Sequence, residues 1–214
     1  MRYPSLIFDF DGTIADTLSA AVGLYNQFAD ENSFRRITPD ELPRLRDLDV
    51  RGVLEDLDIS KRKLPFLLAR GRRLLKNNIA SLPLIDGMAE ILPRLRENAH
   101  YFGILTSNAS ENVEAFLETH GLRDLFTFIS STTKLSGKHK HLRSIARTFS
   151  LNPAEMLYIG DEIRDVRAAK KAGIAMAAVT WGFNSRDSLA AETPLHLVES
   201  LEALVDVIIP PPVA

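Results

Sequence analysis

Short apolar runs that end in small or polar residues recur along the chain: LIFDFDG at 6–12, YFGILTSN at 101–108, LFTFISS at 125–131 and MLYIGDE at 156–162. A weaker fifth, AMAAVTWG, follows at 175–182. Runs this short, bounded by turn formers, predict buried strands. Between them the period changes. ENVEAFLETHG at 111–121 puts Val113, Phe116, Leu117 and His120 on one helical face and ends in a glycine suited to a C-cap. IRDVRAAKKAG at 163–173 does the same with Val166, Ala169 and Ala172. Strand and helix signals alternating at this spacing predict βαβ units and a parallel sheet, an α/β fold. Ligands of such sheets sit in the crevice beyond the carboxyl ends of the strands. Each polar cluster named above falls at that end of its strand, so separate segments should converge on one crevice.

Residues 18–80 break the alternation. LSAAVGLYNQFADEN, DELPRLRDLDVRGVLEDL and LPFLLARGRRLLKNN read as helices, with apolar positions three and four apart and Pro39, Pro43 and Pro65 near their beginnings. PLIDG at 83–87 returns the chain toward the sheet, and MAEILPRLREN is another amphipathic helix. An all-helical insert after the first strand reads as a lid over the crevice, of the kind that excludes water and selects substrates; the plainer alternative is a second helical layer. The expected division is a core of residues 1–17 and 81–214 and a cap of residues 18–80. The Pro-Pro-Pro near the C-terminus reads as a frayed tail.

Composition narrows the function classes. The chain has 214 residues, 45% hydrophobic and 25% charged, which suffices for one good core and a smaller lobe. A net charge of −2 gives no reason to expect nucleic acid or an anionic membrane as partner. Without cysteine there are no disulfides and no thiolate metal sites. No apolar run reaches the length of a membrane span, and the N-terminus has no long apolar stretch after its arginine, so the expectation is a cytoplasmic protein.

The chemistry lies at the strand ends. Asp9 and Asp11 would share one face if they extend the first strand, and carboxylates that close repel. Either a divalent cation with oxygen preference keeps both ionised, or one stays ionised as nucleophile while the other carries a proton as general acid. Gly12 permits a sharp turn, and the Thr13 hydroxyl can hold a neighbouring carboxylate. In GDEIRDV at 160–166, Asp161 and Asp165 lie four apart on a starting helix, close enough to serve one ion, or else Asp161 caps that helix and Asp165 favours its dipole. Ser107 and Asn108 can bind an anion through hydroxyl, amide and backbone N–H groups, and equally can cap a helix. Lys134, Lys138 and Lys140 follow the third strand. One lysine reaching the crevice would neutralise a phosphate and a nucleophilic carboxylate. Two acidic clusters, a hydroxyl and a lysine suit displacement at phosphorus. No G-x-S-x-G occurs, and the five histidines, His139 and His141 included, lack metal-ligand spacing.

The order and content of these motifs resemble the haloacid dehalogenase superfamily, in its phosphoglycolate-phosphatase-like branch. The resemblance is carried by DFDGTIADT at 9–17, ILTSN at 104–108, the GK at 137–138, IGDEIRDVRAAKKAG at 159–173 and VTWGFNS at 179–185. It implies a Rossmann-like parallel sheet flanked by helices with an inserted all-helical cap, and a Mg²⁺-dependent phosphatase of a small phosphorylated metabolite. It further implies Asp9 as a nucleophile that becomes aspartyl-phosphate and Asp11 as general acid and later base. Ser107 and Asn108 would hold the phosphoryl group with the Gly12–Thr13 turn beside it, and Lys138 would neutralise it. Mg²⁺ would be held by Asp9, the Asp11 carbonyl and Asp161, with Asp165 close by. Relatives often carry K-P-x-P where this chain has GKHKHL; Lys138 is preferred because it precedes the apolar face of Leu142, Ile145 and Ala146, with Lys134 and Lys140 as alternatives. Arg46 and Arg51 could reach a substrate anion but read as surface charges. A phosphomutase of the β-phosphoglucomutase type shares the motifs, a 2-haloacid dehalogenase would not need Asp11, and a non-enzymatic binding protein on the same fold is the third alternative. The partner is a small phosphorylated molecule, and the chain is expected to be a monomer or homodimer.

Overall fold

In the computed structural model, which describes residues 2–63, 66, 79–132 and 137–209, strand β1 (Ser5–Phe8) is buried at every position. A strand this apolar has no solvent-facing side and belongs in the middle of a sheet covered on both faces. It pairs in parallel with β2 (Tyr101–Thr106) on one side and β4 (Met156–Gly160) on the other. Beyond these lie β3 (Phe128–Ser131), β5 (Ala175–Val179) and β6 (His196–Val198), giving a six-stranded parallel sheet of order β3-β2-β1-β4-β5-β6. Five of the strands coincide with the apolar runs. β6 is too short and too polar to show a period.

Alternation along β1 decides which helices cover which face. Leu6 and Phe8 pack with Met88, Leu92 and Leu95 of α4 (Met88–Glu97), Val113, Phe116 and Leu117 of α5 (Ser110–Thr119), and Leu204 and Val205 of α9 (Leu201–Ile208). Ile7 points the other way. It packs with Leu142 and Ile145 of α6 (Lys138–Thr148), Val166 and Ala169 of α7 (Ile163–Ala172) and Leu189 of α8 (Arg186–Ala191).

Between β1 and α4 the described residues form α1 (Leu18–Asn32), α2 (Leu42–Arg46) and α3 (Val50–Asp56). The run read as helical over 40–57 is broken because Asp49 is extended and caps α3, accepting from Gly52 N at 3.0 Å. Leu54, Leu57 and Ile59 form a small core there, with Tyr25, Ile37, Val50 and Val53 against it. The stretch 64–78, apart from Phe66, lies outside the described residues, as do Pro65, Lys134 and the terminal prolines. The chain rejoins the sheet where Leu84 bridges Ala15, with Asp16 N donating to Pro83 O and Ile85 N to Ile14 O, both at 2.9 Å. No helix among the described residues is long and apolar enough to cross a membrane.

Strand order reverses between β1 and β4, so the crevice beyond their carboxyl ends lies at a topological switch point. Phe8 is level with Ile104 of β2 and Ile159 of β4, which brings Asp9, Ser107 and Asp161 to the same end of the sheet.

Candidate active site

The chain turns directly after β1. Asp9 N donates to Ile159 O at 2.7 Å, and Phe10 O then accepts from Ile14 N and Ala15 N. Gly12 makes the turn at φ +74°, where a side chain would be strained, and a Cβ there would lie 2.3 Å from Asp161 Oδ2. Asp9 and Asp11 therefore do not occupy alternate positions of one strand: Asp9 is buried, and Asp11 sits half-buried on the turn.

Asp9 is held at both oxygens. Phe10 N donates to Oδ1 at 2.8 Å, and Lys138 Nζ reaches Oδ2 at 2.5 Å. Lys138 opens α6 after Gly137 and is buried because its ammonium also binds Asp165 Oδ1 at 2.7 Å. Of the three candidate lysines, Lys140 is exposed and Lys134 lies outside the described residues.

α7 begins one residue after Glu162. Glu162 is its N-cap, in a capping box with Asp165, whose carboxylate accepts from Glu162 N at 3.2 Å. The capping residue is thus Glu162 and not Asp161. Asp161 is buried in front of the helix. Its Oδ1 accepts from Thr13 Oγ1 at 2.7 Å and its Oδ2 from Phe183 N at 2.6 Å, so the Thr13 hydroxyl is occupied by a carboxylate. The loop after β5 closes on the same group. A Cβ on Gly182 would lie 2.1 Å from Asp161 Oδ2, and Trp181 Nε1 donates to Thr13 O at 3.2 Å.

On the β2 side, Asn108 approaches both Asp11 oxygens through Nδ2, at 3.4 and 3.5 Å. Its Oδ1 accepts from Ala109 N and Asn112 Nδ2, which fixes the amide. Ser107 Oγ accepts from Arg164 Nη2 at 3.4 Å.

Among the described residues, the acidic oxygens that lie within 4.8 Å of one another belong to Asp9, Glu162 and Asp165. Asp165 and Asp9 were read as ligands from the sequence. Glu162 was not, and as the side chains stand the Asp161 carboxylate is outside this group. An all-carboxylate donor set suits a hard divalent cation such as Mg²⁺ and not a softer metal. The residues present therefore fit that ion.

Charge in the crevice is unevenly shared. Burial pushes Asp9 well above the usual carboxylate range, against the pull of Lys138. Asp165 shares that ammonium but goes the other way: burial raises it, and Lys138 and Arg164 outweigh the burial and hold it ionised. Burial lifts Asp11 to about 6, and burial with the nearby Glu162 and Asp165 lifts Asp161 to about 8. Burial also drives the Tyr158 phenol up, so it stays a donor to Asp165 Oδ1 at 3.1 Å.

Residues 6–179 match the family described as haloacid dehalogenase-like hydrolase. The chain belongs to this family. This haloacid dehalogenase-like hydrolase is 36% identical over 204 residues to a phosphoglycolate phosphatase of Synechococcus elongatus, covering 95% of this chain and 96% of the relative. It is 24% identical over 202 residues to an N-acetylmuramic acid 6-phosphate phosphatase of Pseudomonas putida, covering 86% and 85%. Its fold is that of a haloacid dehalogenase-like family hydrolase from Streptococcus pneumoniae, with a TM-score of 0.80, 19% identity, and 96% and 98% of the two chains covered.

Sequence reasoning missed Glu162, Tyr158 and Arg164. Glu162 had a signal: in GDEIRDV the residue before the first helical position is the cap, and the cap faces the strand ends. Of the two arginines weighed in the helical segment, Arg46 donates to Thr180 O at 2.9 Å and Arg51 pairs with Glu55 at 3.1 Å.

Proposed function

We propose that this hydrolase is a Mg²⁺-dependent phosphatase of small phosphorylated metabolites, acting through an aspartyl-phosphate on Asp9. The observation that carries the reading is the buried Asp9 carboxylate at the end of β1, fixed by Phe10 N and Lys138 Nζ beside a half-buried Asp11 with an elevated pKa. An oxygen of Asp9 attacks phosphorus while the bond from phosphorus to the ester oxygen breaks, and Asp11 gives its proton to that leaving oxygen. Asp11 then takes a proton from a water that attacks the same phosphorus, which breaks the bond to Asp9 and releases phosphate. Ser107 and Asn108 hold the phosphoryl oxygens, and Lys138 balances their charge. Asp9, Glu162 and Asp165, with Asp161 and the Asp11 carbonyl at hand, would hold the cation, which when bound supplies positive charge against the phosphoryl oxygens. The same carboxylate would otherwise repel a phosphate dianion.

Phosphoglycolate is the first substrate to test, on the strength of the Synechococcus relative's name and its 36% identity across the chain. Residues 18–80, in which the described part forms α1, α2 and α3, are the proposed cap. Release of phosphate from p-nitrophenyl phosphate should require Mg²⁺ and vanish in Asp9→Asn. Full activity in that variant, or after chelation, would rule the mechanism out. Comparing kcat/KM across phosphorylated acids and sugars then orders the substrates.

A further inference from the structure

Arg164 takes no part in the chemistry above, yet it reaches into the crevice. It stands on the first turn of α7, with Nη2 donating to Ser107 Oγ at 3.4 Å and pairing with the Glu162 carboxylate. Its Nε is shut off from solvent and has no acceptor among the described residues. A buried guanidinium N–H without an acceptor is costly unless something else supplies one.

Arg164 also lines a cavity of about 380 Å³ that runs from Lys138 along α7 to the start of α3. The cavity is basic. Arg51, Lys138, Arg164, Arg167 and Lys171 face it with a single carboxylate, Asp49, and Arg167 already holds that carboxylate at 3.1 Å. Arg167 is further engaged by Glu192 and Arg51 by Glu55. Arg164 is thus the lining arginine with a buried donor still to satisfy. Lys138 and Arg164 belong to both places: one touches Asp9 and the other Ser107, so the cavity adjoins the point where the transferred phosphate would sit.

We propose that Arg164 binds a carboxylate carried by the substrate beside its phosphate, and so sets a preference for small phosphorylated carboxylic acids over neutral phosphate esters. The inference rests on the phosphatase reading and adds a residue to it. A planar fork meets a carboxylate with two parallel hydrogen bonds, which a point charge cannot do. Since Arg164 is one hydrogen bond from Ser107, the carboxylate must lie only a few atoms from phosphorus.

The test is equilibrium binding by calorimetry in an Asp9→Asn background, where turnover cannot interfere. The probes are 2-phosphoglycolate and ethyl phosphate, which differ by a carboxylate against a methyl group. Adding Arg164→Gln should weaken 2-phosphoglycolate by about tenfold or more and ethyl phosphate by less than about threefold, and Arg164→Lys should restore part of the difference. Retained binding of ethyl phosphate shows that each variant is folded. Equal weakening of both probes, no weakening of either, or no binding of 2-phosphoglycolate while Arg164 is intact would overturn the proposal. Failure of the phosphatase reading shows elsewhere, as no phosphate released from either ester by the protein with Asp9 intact.

Discussion

Lys138 and Asp9 stand 129 residues apart in sequence and meet at 2.5 Å, each side chain only 2% exposed. The ammonium is shared with Asp165, so it neutralises the end of β1 and the first turn of α7 at once. Replacing it by an apolar group of similar length leaves two buried carboxylates facing each other. Lys138→Met should lower stability by about 3–5 kcal/mol in chelator and reduce kcat by about a hundredfold or more. Thermal melts and phosphate release measure these, and a variant as stable and as active as the parent would show that the ammonium is dispensable.

Glu162 is the ligand candidate that the fold adds to those named from the sequence. Glu162→Gln should raise the Kd for Mg²⁺ by about tenfold or more without substrate present, because an ionised oxygen is replaced by a neutral amide. Calorimetric titration with MgCl₂ decides it. An unchanged Kd would leave Asp9, Asp161 and Asp165 as the holders of the ion.

The elevated Asp11 has a sign that can be checked in metal-free protein. Its folded pKa is raised from 3.8 to about 6, so burial stabilises the protonated form. That stability is fully present below the unfolded value and is lost as pH rises through about 6, amounting to at most about 3 kcal/mol. In chelator, Asp11→Asn should therefore gain on the parent in melting temperature between pH 4 and about 7, and hold its lead above that. A difference that shrinks with rising pH would contradict the burial of Asp11.

Gly182 faces Asp161 Oδ2 at a distance no Cβ can occupy. Gly182→Ala should cost about 1–3 kcal/mol and also weaken Mg²⁺, since the carboxylate that must yield is part of the acidic crevice. Gly23→Ala is the control. It lies within α1 with nothing inside 4 Å of the added carbon, and it should raise stability by about 0.5–1 kcal/mol. Urea unfolding of both variants compares them, and a Gly182→Ala as stable as Gly23→Ala would show that Asp161 has room to spare.

Five strands can be read from the sequence because each follows a short apolar run between turn formers; in β1, β2, β4 and β5 burial on both faces keeps that run clear, and in β3, half-buried throughout, the run LFTFI leads into two serines. The same holds for α7, whose Val166, Ala169 and terminal Gly173 show in the period and the stop. Asp9 and Lys138 could be named because each sits at a strand end or a helix start, where local pattern marks position. What stayed hidden depends on contacts between distant segments. The Thr13 hydroxyl holds a carboxylate, as its place on the turn suggests, but which one it holds, Asp161, 148 residues on, is set by the fold and not by local pattern. Nothing in the local pattern marks Arg164, and only the approach of the β2 end shows it reaching Ser107. The break before α3 was masked because Asp49 interrupts an otherwise continuous helical period with a cap instead of a proline.

The loop that follows β5 does two jobs within the six residues from Thr180 to Ser185. Phe183 N grips Asp161, while Asn184 Nδ2 donates to Arg46 O and Leu48 O and Ser185 N donates to Arg46 O, each at 2.9 Å. Arg46 returns the contact to Thr180 O. This loop is therefore a fulcrum. A helical segment that swings to admit a ligand either pivots about Asn184 or breaks these bonds, and both strain the backbone next to the one N–H that clamps Asp161. Any such movement over the crevice would be mechanically geared to the carboxylate at its floor.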